Sequence, residues 1–181
     1  MKTKLLMLLV LLGSLWTSNL YAQTRYPKRE FRGAWIQCVN GQFQGMPTEK
    51  MKKVLVSQLD NLQKAGINAI IFQVRAEGDA LYKSPYEPWS RFLTGVQGKA
   101  PSPMWDPLQF MIEECHKRNM ELHAWINPYR AKTKGTGALS PMHPYSKNPE
   151  LFVQYAGQLY FDPGLPESRK YICKIVRDIV T

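Results

Sequence analysis

The chain has 181 residues, of which 44% are hydrophobic and 21% are charged, and its formal net charge is +10 at pH 7. A composition this apolar argues against intrinsic disorder, and three cysteines are too few for a disulfide framework. The basic residues are spread over several predicted helices. We therefore interpret them as solvated helix faces and expect no nucleic-acid partner.

The first 22 residues have the pattern of a secretory signal peptide. Lys2 and Lys4 form its basic region, Leu5–Leu12 its apolar region, and cleavage is predicted near Ala22. The apolar run is too short to span a bilayer. We expect a periplasmic or secreted mature chain of 159 residues, with a charge of +8 and no stable membrane span.

The first half of the mature chain predicts a strand, a helix and a second strand. Phe31–Cys38 alternates as a strand does, and so does Asn68–Arg75. Apolar residues at helical spacing lie between them. We expect Thr48 to cap this helix and Gly66 to follow its end.

A loop of about thirty residues, 76–105, follows the second strand. It is rich in proline but also in aromatic residues, so we expect it to be ordered. Asp106 then predicts a helix N-cap, with Gln109 returning the hydrogen bond. Glu121–Asn127 alternates as a third strand does, with His123, Trp125 and Asn127 on its polar face, and Pro128 ends it.

A second long loop runs from Tyr129 to Pro166, with Gln158–Phe161 as a short extended piece, and Pro166 begins a third helix. Cys115 and Cys173 lie on predicted helices and are interpreted as small buried apolar residues. A disulfide bridge between them is the less favoured alternative.

Strands that alternate with helices predict a parallel sheet. Both long loops follow strands, whereas the connections from helix to strand are short, and this asymmetry is typical of an α/β fold of the (β/α)8 TIM-like barrel type.

About three βα units are present, and the chain ends within a helix at Thr181. We interpret residues 23–181 as the N-terminal part of a barrel. A complete small three-layer α/β domain is the alternative. A fragment with two open parallel edges should be poorly stable or oligomeric.

Polar and aromatic side chains gather at the strand ends and in the long loops. Amides, carboxylates and a guanidinium can bind hydroxyl groups, and indoles and phenols can stack on a sugar ring, so the set suits a carbohydrate. Simpler roles exist for Trp89, which could pin its loop, for Arg75, which could pair with Glu77 or Asp79, and for His123 in a barrel core. The predicted ligand contacts are Gln37, Gln73, Arg75, Glu77, Asp79, Trp89, His123, Trp125, Asn127, Tyr129 and Arg130.

Other chemistries fit the sequence less well. The three histidines lack the spacing of a zinc site, no G-x-S-x-G nucleophile motif is present, and Gly95–Lys99 is too short for a phosphate loop. We therefore predict no metal and no cofactor. Glu77 and Asp79 are weak catalytic candidates, because the two carboxylates of a glycosidase must flank the scissile bond from opposite sides.

Several long stretches resemble the family 10-like glycosyl hydrolases, which are exported bacterial proteins. They are FRGAWI from Phe31, FQVRAEGDALYKSPYEPWSRFL from Phe72, DPLQFMIEECHKRN from Asp106, HAWINPYR from His123 and YFDPGLPESRKYI from Tyr160. One departure is Asn119, where the family usually has glycine; asparagine tolerates the same left-handed turn.

The resemblance implies a TIM-like barrel longer than this chain and a glycoside hydrolase that acts on cell-envelope or other extracytoplasmic polysaccharide. It also implies that the main catalytic carboxylate lies beyond Thr181, so that this part alone would be inactive. A non-catalytic carbohydrate-binding protein that uses the same cleft is the rival. A third interpretation, a basic protein that binds anionic polymers, predicts steeply salt-dependent binding.

Overall fold

The structure is a computed structural model that describes residues 30–181, so the predicted signal peptide lies outside the described residues. Arg32–Thr181 forms one compact unit. Its strands are β1 (Gly33–Ile36), β2 (Ala69–Arg75), β3 (Glu121–Ile126), β4 (Arg130–Lys132), β5 (Phe152–Tyr155) and β6 (Gln158–Phe161). Its helices are α1 (Thr48–Lys64), α2 (Arg91–Thr94), α3 (Pro107–His116), α4 (Pro144–Lys147) and α5 (Pro166–Val180), with a 3₁₀ turn at Pro149–Leu151.

The three predicted strands form a parallel sheet in the order β1-β2-β3. Trp35 is aligned with Ile71, and Ile71 with His123. Because each strand pairs with the next one along the chain, the sheet grows in one direction, as the wall of a barrel does. The first three strands of a Rossmann-type doubly wound sheet have the same order, since such a sheet reverses direction only afterwards.

Both crossover helices pack on the same face of this sheet. Phe72 and Val74 of β2 are buried in one cluster with Leu55 and Leu59 of α1 and with Met111 of α3. Helices on this face leave the opposite face free to form the interior of a barrel. The predicted fold class, a (β/α)8 barrel of which the chain holds three βα units, is confirmed.

The opposite face corresponds to the barrel interior and is open in the described part of the chain. Trp35 is 66% exposed, and 47% of the His123 side chain is accessible. The Trp35 and Trp125 rings meet edge to face, with centroids 4.8 Å apart. Aromatic burial is a large stabilising contribution, so this face is where further barrel strands would add most stability.

The helix boundaries confirm part of the sequence interpretation. The Asp106 side chain accepts a hydrogen bond from the backbone N–H of Gln109, and Asn119 has the left-handed φ of 54°. The side-chain hydrogen bond of Gln109 in the structure runs from its Nε2 to Glu113 Oε1. Thr48 is the first helical residue, with Pro47 at the cap position, and its hydroxyl donates to the carbonyl of Pro103.

Cys173 also differs from expectation. It lies on the solvent side of α5, whereas Cys115 is buried as predicted. The cysteines of the described chain are free, so the alternative of a bridge between these two is not formed.

In residues 30–181, every helix is too short or too polar to cross a membrane.

The second long loop contains a sheet that the sequence predicted only in part. Gln158–Phe161 is indeed extended, as β6, but it lies between β4 and β5 in an antiparallel sheet of order β4-β6-β5. β5 and β6 are joined by a two-residue turn, Ala156-Gly157, in which both residues have positive φ. Strands of three or four residues give little periodicity, and the turn lacks the Asn-Gly signal of such hairpins.

Ala156 is strained in this turn, because its φ of 50° brings Cβ close to the following carbonyl oxygen. Ala156→Gly should raise the free energy of unfolding by about 0.5–1 kcal/mol, measured by urea denaturation. Gly157→Ala is the matched control and should destabilise, since the added Cβ would meet Cε of Lys134 at 3.3 Å. Equal effects of the two changes would contradict the strain at position 156.

Candidate functional site

A cleft of about 410 Å³ lies where the loops after β1, β2 and β3 meet. This is the edge formed by the carboxyl ends of the parallel strands, where (β/α)8 enzymes have their active sites. Each of the three loops contributes polar side chains to it. These are Asn40, Gln44, Glu77, Arg91, Arg130 and Thr133.

Glu77 is the carboxylate that lines this cleft in the described part of the chain. Its side chain is almost fully buried and accepts hydrogen bonds from Arg91 Nε at 2.9 Å and Nη2 at 3.3 Å. The hydroxyls of Thr133 and Thr136 donate to it at 2.6 and 2.8 Å. Glu77 therefore joins the loop after β2 to the loop after β3.

These contacts keep Glu77 ionised. Burial alone would raise the pKa of its carboxyl, but the hydrogen bonds from Arg91, Thr133 and Thr136 outweigh burial, and the pKa lies below its ordinary value of 4.5. An ionised carboxylate can stabilise a developing positive charge or act as a base or nucleophile. It cannot serve as a proton donor at neutral pH.

Asp79 has the opposite character. Burial raises the pKa of its carboxyl above 3.8, and hydrogen bonds from the Gln97 amide and the Glu77 backbone N–H oppose this only partly. Asp79 has no solvent exposure and does not line the cleft. A carboxyl with a raised pKa is better suited to a general acid than Glu77 is, but in the described chain this one has no access to a substrate.

His143, in the loop after β3, hydrogen-bonds the backbone of the loop after β2 at Glu77. Its Nδ1 accepts the backbone N–H of Tyr145, so Nε2 carries the proton that it donates to the carbonyl of Glu77, 2.9 Å away. Burial lowers the pKa of His143, which favours this neutral form. Gly78 is required here, because a Cβ at this position would lie 2.8 Å from His143 Nε2.

Arg75, predicted as a ligand contact, is fully buried in an ion pair with Glu87. Two parallel hydrogen bonds of 2.7 Å join the guanidinium to the carboxylate. The alternative that Arg75 pairs with Glu77 or Asp79 is therefore wrong. Burial would lower the pKa of Arg75, but the Glu87 carboxylate outweighs it and keeps the guanidinium charged. Arg75 also donates to the carbonyls of Asn127 and Pro128, so it positions the end of β3.

The predicted residues of the inner sheet face lie at different depths. Gln73 is buried, and its Oε1 accepts the Cys38 backbone N–H at 3.0 Å, whereas Gln37 is exposed. The Trp125 indole N–H donates to Asn127 Oδ1, and Asn127 Nδ2 donates to the carbonyl of Ala76. His123 lies 3.1 Å from Glu121 on the open face.

The remaining predicted contacts are two aromatic residues and Arg130. Trp89 packs on the main core and hydrogen-bonds Gly98 through its carbonyl, which agrees with the simpler role of pinning its loop. Tyr129 packs against the second core cluster. Arg130 begins β4 and lines the cleft, so Glu77 and Arg130 are the two predicted residues that the structure brings together there.

Sequence reasoning missed several residues that build the cleft, among them Arg91, Thr133 and Thr136. All belong to long loops, where no periodicity reports which side chains converge. The sequence signal for them is only general: a buried carboxylate such as Glu77 needs hydrogen-bond donors nearby, but the sequence does not say which residues they are. Glu87 was also missed, because it lies in a long loop, twelve residues after its partner Arg75.

Breaking the buried ion pair should be costly. Arg75→Met leaves the Glu87 carboxylate buried and unpaired, so we expect a loss of about 3–5 kcal/mol in the free energy of unfolding, measured by denaturant titration. The matched control is Lys52→Met, which removes one partner of an exposed pair with Glu49 and should cost no more than about 1 kcal/mol. Similar losses in the two variants would contradict the assigned role of Arg75.

The Glu77 carboxylate should make stability depend on pH. Its pKa is lower in the folded protein than in the unfolded chain, so its contribution is present above pH 4.5 and is lost as the pH falls through the folded-state value. Glu77→Gln should therefore lower the free energy of unfolding by roughly 1–3 kcal/mol at pH 7, and the difference from wild type should shrink below pH 4.5. Glu49→Gln, at an exposed site, is the control; a pH-independent difference at position 77 would refute the explanation.

Similarity to known proteins agrees with this geometry. The chain is 46% identical over 158 residues to the glycosyl hydrolase YngK of Bacillus subtilis (strain 168), an alignment that covers 84% of this chain and 31% of that protein. It is 33% identical over 181 residues to the glycosyl hydrolase DigH of Escherichia coli (strain K12), covering 88% of this chain and 41% of that protein. The chain thus spans less than half the length of these relatives.

Among solved structures, a maltogenic α-amylase from Thermotoga neapolitana superposes with a TM-score of 0.51 and 18% identity, covering 81% of this chain and 35% of that one. This likeness concerns the fold alone. The sequence profile of the glycosyl hydrolase-like 10 family matches residues 30–181, which confirms the resemblance of the five motifs. The chain therefore belongs to the glycosyl hydrolase-like 10 family.

Proposed function

We propose that this chain is the N-terminal part of an exported glycoside hydrolase that cleaves cell-envelope or other extracytoplasmic polysaccharide by a two-carboxylate mechanism. The observation that carries the proposal is the cleft at the carboxyl ends of the parallel strands, in which Glu77 is ionised and paired with Arg91, and which Arg130 also lines. Family membership supports the reaction class. The signal-like residues 1–22 support a periplasmic or secreted location.

In this mechanism Glu77 is the ionised member of the pair. To act as nucleophile or as the base that activates water, it would exchange at least one of its four hydrogen bonds for the substrate, because its side chain is only 1% exposed. Arg91 and the two threonines hold its oxygens in place, and Arg130 is positioned to bind a sugar hydroxyl. The proton donor must approach from the other side of the bond, which Asp79 does not reach, so we assign it to the chain beyond Thr181.

The rival function, carbohydrate binding without cleavage, uses the same cleft and differs in the product. The full-length protein should be incubated with bacterial cell-wall sacculi and with plant and host polysaccharides, and new reducing ends should be measured. We expect release from at least one of them. Binding of a glycan without new reducing ends would favour the rival.

Glu77→Gln tests the role of this carboxylate in the reaction, with the circular dichroism spectrum as the check that the less stable variant is still folded. It should lower kcat by roughly 100-fold or more if Glu77 takes part in proton transfer or nucleophilic attack. Glu150→Gln, at an exposed carboxylate away from the cleft, is the control and should retain activity. Full activity of the Glu77 variant, with a native circular dichroism spectrum, would exclude Glu77 from the mechanism.

A further inference from the structure

The antiparallel sheet has one face that belongs to no core. Arg130 of β4 is aligned with Tyr160 of β6, and Tyr160 with Val153 of β5. Tyr155 and Gln158 form the next pair. Partners across an antiparallel ladder point to the same side, so these five residues share one surface, which we name the outer face.

The opposite surface of the same sheet is the packed one. Leu159 and Phe161 of β6 are buried with Ile172 of α5, and Phe152 of β5 packs against them. The outer face is therefore turned away from this core. Tyr155 is 75% exposed and Val153 41% exposed, while the Tyr160 hydroxyl donates to Gln158 Oε1 at 3.1 Å.

The outer face is continuous with the cleft, because Arg130 belongs to both. From Arg130 to Val153 the surface crosses two strand spacings, or ~10 Å, and Tyr155 lies two residues further along β5, or ~7 Å. This distance exceeds the length of one pyranose ring. Single exposed aromatic residues are ordinary, but here two tyrosines and a valine share one face with Arg130, which also lines a polar cleft.

We infer that the outer face binds a polysaccharide chain, holding several sugar rings on one side of the bond that the cleft receives. The phenol ring of Tyr155 would stack on the apolar face of a sugar, and Tyr160, Gln158 and Arg130 would bind hydroxyl groups along the way. The substrate is then a polymer rather than a single terminal sugar. The inference rests on the proposed function for the class of ligand, although binding does not require cleavage.

The test uses the full-length protein with three insoluble glycans: bacterial cell-wall sacculi, chitin and starch. Tyr155→Ala should weaken co-sedimentation with the glycan that retains wild type, raising the apparent Kd about threefold to tenfold. Tyr155→Phe keeps the ring and should bind as wild type does. Gln154→Ala is the matched control, because Gln154 is aligned with Leu159 and so lies on the opposite face of the same strand.

Reducing ends are measured on the same mixtures. With a hydrolysed glycan, Tyr155→Ala should raise KM for the polymer and leave kcat unchanged. Binding without cleavage would refute the hydrolase but not the outer face. The inference is overturned if wild type sediments with none of the three glycans or if Tyr155→Ala binds as wild type does. It is also overturned if this variant loses thermal stability without losing binding, since the face would then be covered by the remaining chain.

Discussion

The buried ion pair between Arg75 and Glu87 is the interaction on which the rest of the structure depends. Arg75 ends β2 and Glu87 lies in the following loop, so the pair folds that loop back over the strand. The same guanidinium binds two carbonyls at the end of β3 and lies 5.6 Å from the Phe161 ring of β6. Tyr171 of α5 donates its hydroxyl to Glu87. One charge thus connects the parallel sheet, the antiparallel sheet and the last helix.

Such a centre has a cost. Removing both charges from water is unfavourable, and only the two parallel hydrogen bonds and the surrounding donors compensate for it. The ion pair also fixes the orientation of both side chains, because its two hydrogen bonds are parallel. The loop of about thirty residues after β2 can therefore be long and still deliver Glu77 and Arg91 to one place.

Elements with strong periodicity could be predicted from sequence, and the cleft could not. The three parallel strands, the Asp106 cap and the left-handed Asn119 all follow from local rules. Whether a polar residue at a strand end reaches the cleft depends on loops that close from far away. Arg75 and Glu77 are two residues apart, yet the Arg75 side chain is buried in its pair with Glu87 and Glu77 lines the cleft.

The two long loops also fit together at two glycines. A Cβ on Gly78 would lie 2.8 Å from His143 Nε2, and a Cβ on Gly98 would lie 2.7 Å from the Ser140 hydroxyl. Each contact joins the loop after β2 to the loop after β3. A chimera that takes one loop from a relative and keeps the other would therefore put mismatched surfaces together. At these two contacts, a larger residue in one loop would require a smaller or shifted residue in the other, so the shapes of the two loops are coupled.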